Sequence, residues 1–178
     1  MLESAPEVKY RSILDFDTPI EWINTEGMDC NEEFVGENYG RINKPEAELS
    51  IAQLKSYILK IGKERFLKEK IDVGLISPYK AQVQYLRQLI RKDNFFKPYR
   101  FAITINTVDG FQGQERDVIL ISLVRANEEG QIGFLNDLRR MNVAITRARM
   151  KLIILGDVST LTRHAFYAEL YRYIEELH

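Results

Sequence analysis

Three stretches of this 178-residue chain hold side chains able to do chemistry. The richest in arginine is Gly133-Phe134-Leu135-Asn136-Asp137-Leu138-Arg139-Arg140-Met141-Asn142-Val143-Ala144-Ile145-Thr146-Arg147-Ala148-Arg149. Read as one helix, it puts Leu138, Met141, Ile145 and Ala148 on one apolar face. At about 100° per residue, Asn136, Arg140 and Arg147 gather roughly opposite that face, and Arg139 lies about 80° round from Arg147. Arg149 projects toward the edge of the apolar stripe and ranks below Arg147 as a phosphate ligand. A guanidinium carries a permanent charge and a planar fork matched to phosphate oxygens. The plainer alternative is a solvated basic face on a surface helix.

The second stretch, Ile105-Asn106-Thr107-Val108-Asp109-Gly110-Phe111-Gln112-Gly113-Gln114-Glu115-Arg116-Asp117, packs amides, carboxylates and two glycines between two apolar runs. Such a loop presents hydrogen-bonding groups where a nucleotide or a nucleic-acid backbone docks. The third, Ile76-Ser77-Pro78-Tyr79-Lys80-Ala81-Gln82, is a strand end turning into a helix, with Ser77 as its cap and Pro78 at its first position. Ligands of open α/β sheets bind outside the carboxyl ends of strands, and a helix N-terminus offers free N–H groups to a phosphate.

The elements that position these stretches follow from hydrophobic periodicity. Pro19–Asn24 reads as a first strand and residues 26–44 as loop or ragged hairpin. A helix opens at Pro45, with Glu46 and Glu48 complementing its positive end and Ala47, Ile51, Leu54, Ile58 and Ile61 as its stripe. Ile71–Ile76, Phe101–Ile105, Asp117–Val124 and Leu152–Leu155 read as strands, the third apolar enough for an inner parallel strand. Val83, Leu86, Leu89 and Ile90 mark one intervening helix, and Phe166, Leu170, Ile174 and Leu177 mark the last. Strands alternating with helices predict an α/β fold: a three-layer, mostly parallel sheet over residues 19–178, preceded by a tail or linker at 1–18.

Composition narrows the function. No apolar run approaches the roughly 20 residues needed to span a bilayer, and residues 1–10 lack a signal-peptide core, so no membrane partner is expected. One cysteine, Cys30, favours a reducing setting inside the cell: the cytoplasm, or the nucleus in a eukaryote. Two histidines, His164 and His178, read as solvated helix residues, and no metal site is expected. Residues 1–50 hold 12 acidic and 4 basic side chains, and the remainder 14 acidic and 21 basic, which turns the later part toward anionic ligands.

Together the three stretches resemble motifs IV, V and VI of superfamily-1 helicases. They are most similar to the up-frameshift branch of nonsense-mediated-decay RNA helicases and related DNA helicase-nucleases. Residues 76–82 look like motif IV, 108–115 like motif V and 139–149 like motif VI. Val124-Arg125-Ala126-Asn127 and Gly133-Phe134-Leu135-Asn136-Asp137 match linking segments of that branch. The resemblance implies a RecA-like fold of the P-loop NTPase kind, the second motor domain of an ATP-driven helicase. Arg147 and Glu115 would be catalytic, Arg147 as the arginine finger. Glu115, Gly113, Arg140 and Arg147 would contact the nucleotide, and Ser77, Pro78, Tyr79, Thr107 and Val108 a single strand of DNA or RNA.

No G-x-x-x-x-G-K-[ST] phosphate loop and no paired Asp-Glu magnesium motif occurs in the sequence. The chain is therefore expected to be a fragment, inactive alone, whose ATP and Mg²⁺ are held mainly by a first RecA-like domain of a longer chain. The alternative is a stand-alone nucleic-acid-binding module without motor activity. A small-ligand α/β domain is disfavoured, because no Gly-rich loop follows a strand in the dinucleotide pattern.

Overall fold

A computed structural model of the chain describes residues 18–37, 40–111 and 113–178. The tail expected at 1–18 therefore lies outside the described residues apart from Thr18, whose carbonyl accepts from Lys151 Nζ. Five strands form one parallel sheet: β1 (Ile20–Asn24), β4 (Val73–Ser77), β5 (Ile103–Thr107), β6 (Arg116–Ser122) and β7 (Ala148–Gly156), in spatial order β1-β7-β6-β4-β5. The ragged hairpin is real: β2 (Glu33–Gly36) pairs antiparallel with β3 (Gly40–Ile42) as a separate ribbon.

Alternation along β6 divides the core. Val118 and Leu120 face α1 (Lys44–Ile61), α2 (Lys63–Lys68) and α3 (Lys80–Lys92), packing with Leu54, Ile58, Phe66 and Leu86. Ile119 and Ile121 face the other layer, α4 (Leu138–Ile145), α5 (Val158–Leu161) and α6 (Ala165–Glu176), packing with Met141, Leu161, Tyr167 and Ile174. A strand buried on both faces needs apolar residues at successive positions, which is why β6 reads as a continuous run. The α/β prediction of three layers stands.

Several boundaries move, each for a physical reason. The helix expected to run through Arg149 ends at Ile145. Thr146 follows as its C-cap and its hydroxyl turns back to the Val143 carbonyl. Val143, Ile145 and Thr146 are β-branched and weak helix formers, and Ala148–Gly156 is claimed by pairing with β6 and β1. Within the helix Leu138 is exposed rather than core, and Met141 and Ala144 are its buried residues. Ser77 does not cap α3. It ends β4 in register with Thr107 and is buried, while Tyr79 occupies the N-cap position without a side-chain bond. The strand expected at Phe101 starts at Ile103, because residues 94–102 form a 3₁₀ segment that leaves Phe101 outside the core. His164 is half-buried and bonded to the Gly130 carbonyl at 2.8 Å rather than solvated.

Glu46 departs furthest from expectation. It lies in the first turn of α1 yet is wholly buried, accepting from Ser122 Oγ (2.6 Å) and the Val124 N–H (2.7 Å). Burial pushes its carboxyl up to about 7, against the opposing pull of those two hydrogen bonds. Around it, Asn43 Nδ2 donates to the Cys30 and Val124 carbonyls, and Gln82 Nε2 donates to the Asn43 carbonyl and Ser122 Oγ. Val124 itself sits at φ 71°, a left-handed conformation that costs a β-branched residue about 1–3 kcal/mol. The network offsets that cost by bonding both its N–H and its carbonyl.

Candidate nucleotide cleft and strand-binding edge

Because the strands are parallel, the two ends of the sheet are chemically distinct. Ser77–Tyr79 and Thr107 lie at the carboxyl ends of β4 and β5, whereas Glu115 and Arg147 immediately precede the amino ends of β6 and β7. Residues 107–115 connect these ends across the face that α4 covers. Phe111 fastens this loop to the sheet: its ring packs on β4 where Gly74 has no side chain, and a Cβ there would lie 2.9 Å from Phe111 Cε1. The turn at Gly110 is equally tight, since a Cβ would lie 2.2 Å from Asn106 Cγ. Thr107 Oγ1 accepts from the Gly110 N–H at 3.3 Å and closes the turn.

Between this loop and α4 lies a cleft of about 270 Å³ lined by Val108, Asp109, Asp137, Arg139, Arg140, Val143 and Arg147. Three guanidinium groups therefore border one opening. Asp137 caps α4 by accepting from the Arg140 N–H at 3.1 Å. Arg140 reaches back across the cleft to Asp109, Nε to Oδ1 at 3.2 Å, with Asp137 at 3.9 Å. Arg147 is held differently. Its backbone carbonyl accepts from the Arg116 N–H at 3.0 Å, which sets it beside Glu115, and its Nη1 makes a long 3.5 Å bond to the Gln114 carbonyl. Its Nε is buried without a hydrogen-bond partner, and among the described residues no carboxylate lies within ion-pair distance of it.

Arg149, two residues on, shows the opposite arrangement. In β7 it donates from Nε to Asp117 (3.0 Å) and from Nη2 to Asp72 (3.0 and 3.1 Å). The same two aspartates exchange hydrogen bonds with each other's backbone N–H, tying β6 to the start of β4. Burial works against the Arg149 charge, but the bond to Asp117 and both carboxylates outweigh it and raise its pKa. Arg149 is a structural clamp.

The structure thus brings Val108, Arg140 and Arg147 together on the cleft, with Glu115 and Gly113 exposed on the adjoining loop, though neither lines the cleft itself. It separates them from Ser77, Pro78 and Tyr79. Tyr79 is buried, its ring stacked on Phe134 (5.1 Å, 22°), its hydroxyl donating to the Ile132 carbonyl and accepting from Arg125 Nη1. Arg125 is in turn bonded to Glu32 at 2.9 Å. Only Pro78 of that turn keeps partial exposure. Two cleft residues escape the helical-wheel reading: Arg139, placed well round the helix from Arg147, and Asp109, whose pairing with Arg140 depends on how the loop folds. The acidic residue after Val108 was the available signal.

An AAA domain family model matches residues 2–159. The chain belongs to that family. Its branch is the up-frameshift branch of superfamily-1 helicases, and its fold is RecA-like. It is 40% identical, over 90% of its own length and 21% of the relative's, to an uncharacterized ATP-dependent helicase of Methanocaldococcus jannaschii. It is 39% identical over 85% of its length to the DNA replication ATP-dependent helicase/nuclease of Mus musculus, covering 13% of that protein. It is 32% identical over 91% of its length to the regulator of nonsense transcripts 1 homolog of Neurospora crassa, covering 14% of it. The chain spans about a fifth or less of the length of these relatives. Among the described residues of this superfamily-1 domain, no helix is long and apolar enough to cross a membrane.

Proposed function

We propose that residues 19–178 are the second RecA-like motor domain of an ATP-dependent nucleic-acid helicase, and that Arg147 is its arginine finger. The observation that carries this reading is the uncompensated Arg147 guanidinium at the rim of an arginine-lined cleft, two residues from an arginine fully engaged by carboxylates. An arginine left without an internal carboxylate suits a ligand whose negative charge arrives from outside.

In this reading the first RecA-like domain of the same longer chain supplies the phosphate cradle and Mg²⁺, whose charge is neutralising at the phosphates when bound. Arg147 donates to the phosphoryl group as charge develops there. Arg140, oriented by Asp109 and Asp137, and Arg139 raise the positive potential of the cleft. Glu115 and Gly113 meet the nucleotide from the loop side. Thr107 and the Pro78 turn contact a single strand of DNA or RNA at the carboxyl ends of β4 and β5, and Ser77 and Tyr79 act by holding that turn from beneath. Val108, buried and lining the arginine cleft, is not a strand contact. The 178-residue chain alone has half of each composite site and hydrolyses no appreciable ATP.

The test is single-strand-stimulated ATP turnover by the full-length helicase. Arg147→Ala is expected to lower it by about 10³-fold or more, with strand affinity within a few fold of wild type. Arg147→Lys should rescue poorly, because a point charge does not reproduce the planar fork. Near-normal turnover by Arg147→Ala would overturn the assignment.

A further inference from the structure

The outer edge of the sheet carries a second concentration of positive charge, outside motifs IV, V and VI. β5 is an edge strand, and a cleft of about 270 Å³ runs along it, lined by Arg87, Ile90, Arg91, Arg100, Ile103 and Ile105. Residues 87–101 hold five basic side chains and a single acidic one, Asp93, which is already paired with Lys55 at 2.8 Å. Among the described residues, none of the three arginines lining this cleft makes an ion pair. Helix geometry explains part of the cluster. Arg91 and Lys92 lie in the last turn of α3, where cations are favoured, and Arg100 Nη2 donates to the Arg91 and Asp93 carbonyls. The remainder has no internal use: Arg100 Nε is buried without a partner, and Arg91 projects into solvent.

Two further observations choose among ligands. Arg87 donates from Nε (3.1 Å) and Nη2 (2.7 Å) to the Ile105 carbonyl, so the middle of β5 is already capped against an added β-strand. Phe101, at the foot of β5, is 82% exposed, a flat apolar face at the end of a basic strip. Guanidinium groups alternating with an exposed aromatic ring suit phosphates and stacked bases. Thr107 ends the same strand, about 13 Å from Ile103 at its start.

We infer that the β5 edge, from Arg87 through Arg91 and Arg100 to Phe101, is a second nucleic-acid contact that carries a single strand onward from the carboxyl end of β5. The inference rests on the strand-binding reading of Thr107, and the experiment separates the two. Binding of the 178-residue chain to a fluorescein-labelled oligothymidylate of about 20 nucleotides is followed by anisotropy at about 50 mM salt and above. The variants are Arg91→Glu with Lys97→Glu, Phe101→Ala, and Thr107→Ala. The two charged positions chosen, Arg91 and Lys97, are both exposed and avoid Arg100, whose bonds to the end of α3 make its loss a folding risk, and circular dichroism checks each variant. Weakening of about tenfold by the charge-reversed pair, with a shallower salt dependence, and a clear loss with Phe101→Ala support the edge. Weakening by Thr107→Ala alone overturns it and leaves the strand-binding reading standing. No binding by wild type overturns both. Equal competition by polyglutamate overturns the assignment to nucleic acid in favour of an acidic protein.

Discussion

The polar network beneath Val124 and the cleft beside α4 draw on the same kinds of side chain and arrive at opposite states. In the network, Asn43, Gln82, Ser122 and the Val124 backbone are satisfied by one another, and Glu46 is sealed among them. In the cleft, Arg139, Arg140 and Arg147 border open space, and among the described residues only Arg140 of the three is paired with a carboxylate. Buried polar groups need partners inside the protein, and those that Glu46 Oε1 and Asn43 provide fix a backbone course, here the strained Val124, while Glu46 Oε2 stays unpartnered. A charge left without such a partner at an opening is available to a ligand. The motif VI segment contains both behaviours two residues apart, in Arg147 and Arg149, so abundance of arginine alone does not mark the functional one.

The comparison can be sharpened first at Glu46. Its carboxyl titrates near 7 in the fold against about 4.5 unfolded, so the folded state holds the extra proton between those values. The associated stability is fully present below about pH 4.5 and is lost as pH rises through 7, by about 3 kcal/mol in all. Denaturation at pH 5 and pH 8 should show this loss in the wild-type chain, and Glu46→Gln should flatten it. An undiminished slope in Glu46→Gln would mean that another group titrates.

A smaller effect is expected at Arg149. Replacing it with alanine removes an ion pair from the almost wholly buried Asp117 and should cost about 2 kcal/mol, allowing for the partial exposure of Arg149 itself. Arg147→Ala should change stability by no more than about 0.5 kcal/mol, because it removes no ion pair. Urea denaturation of both variants checks the contrast, and equal destabilisation would erase the distinction between clamp and cleft residue.

Much of this was legible from residue order. The five strands, the helices between them and the inner position of β6 follow from periodicity, and the nearness of Arg140 to Arg147 follows from motif VI, whereas Val108, expected on the strand-binding side, lines the same cleft as the arginines. What escaped depends on tertiary competition. A helical wheel drawn through Arg149 assumes that Thr146 to Arg149 stay helical, whereas strand pairing with β6 takes them. The wheel still set Arg147 near Arg140 because the turn returns it to the same cleft, but it placed Arg139 wrongly. Ser77 and Tyr79 look like exposed turn residues, yet the strand claims one and the Arg125–Phe134 contacts claim the other. Glu46 looks like an ordinary first-turn acid; nothing local announces that β6 will close over it.

The central claim, that Arg147 acts on charge arising in the transition state, is tested most directly by nucleotide binding in the full-length helicase. Affinity for ADP alone should be compared with affinity for ADP plus aluminium fluoride, an analogue of the transferring phosphoryl group, in wild type and Arg147→Ala. A finger contributes to the transition-state complex and little to the product complex. The account predicts that Arg147→Ala binds ADP within a few fold of wild type and loses about 10²-fold or more of the additional affinity conferred by aluminium fluoride. Equal losses for both ligands, or none for either, would contradict it.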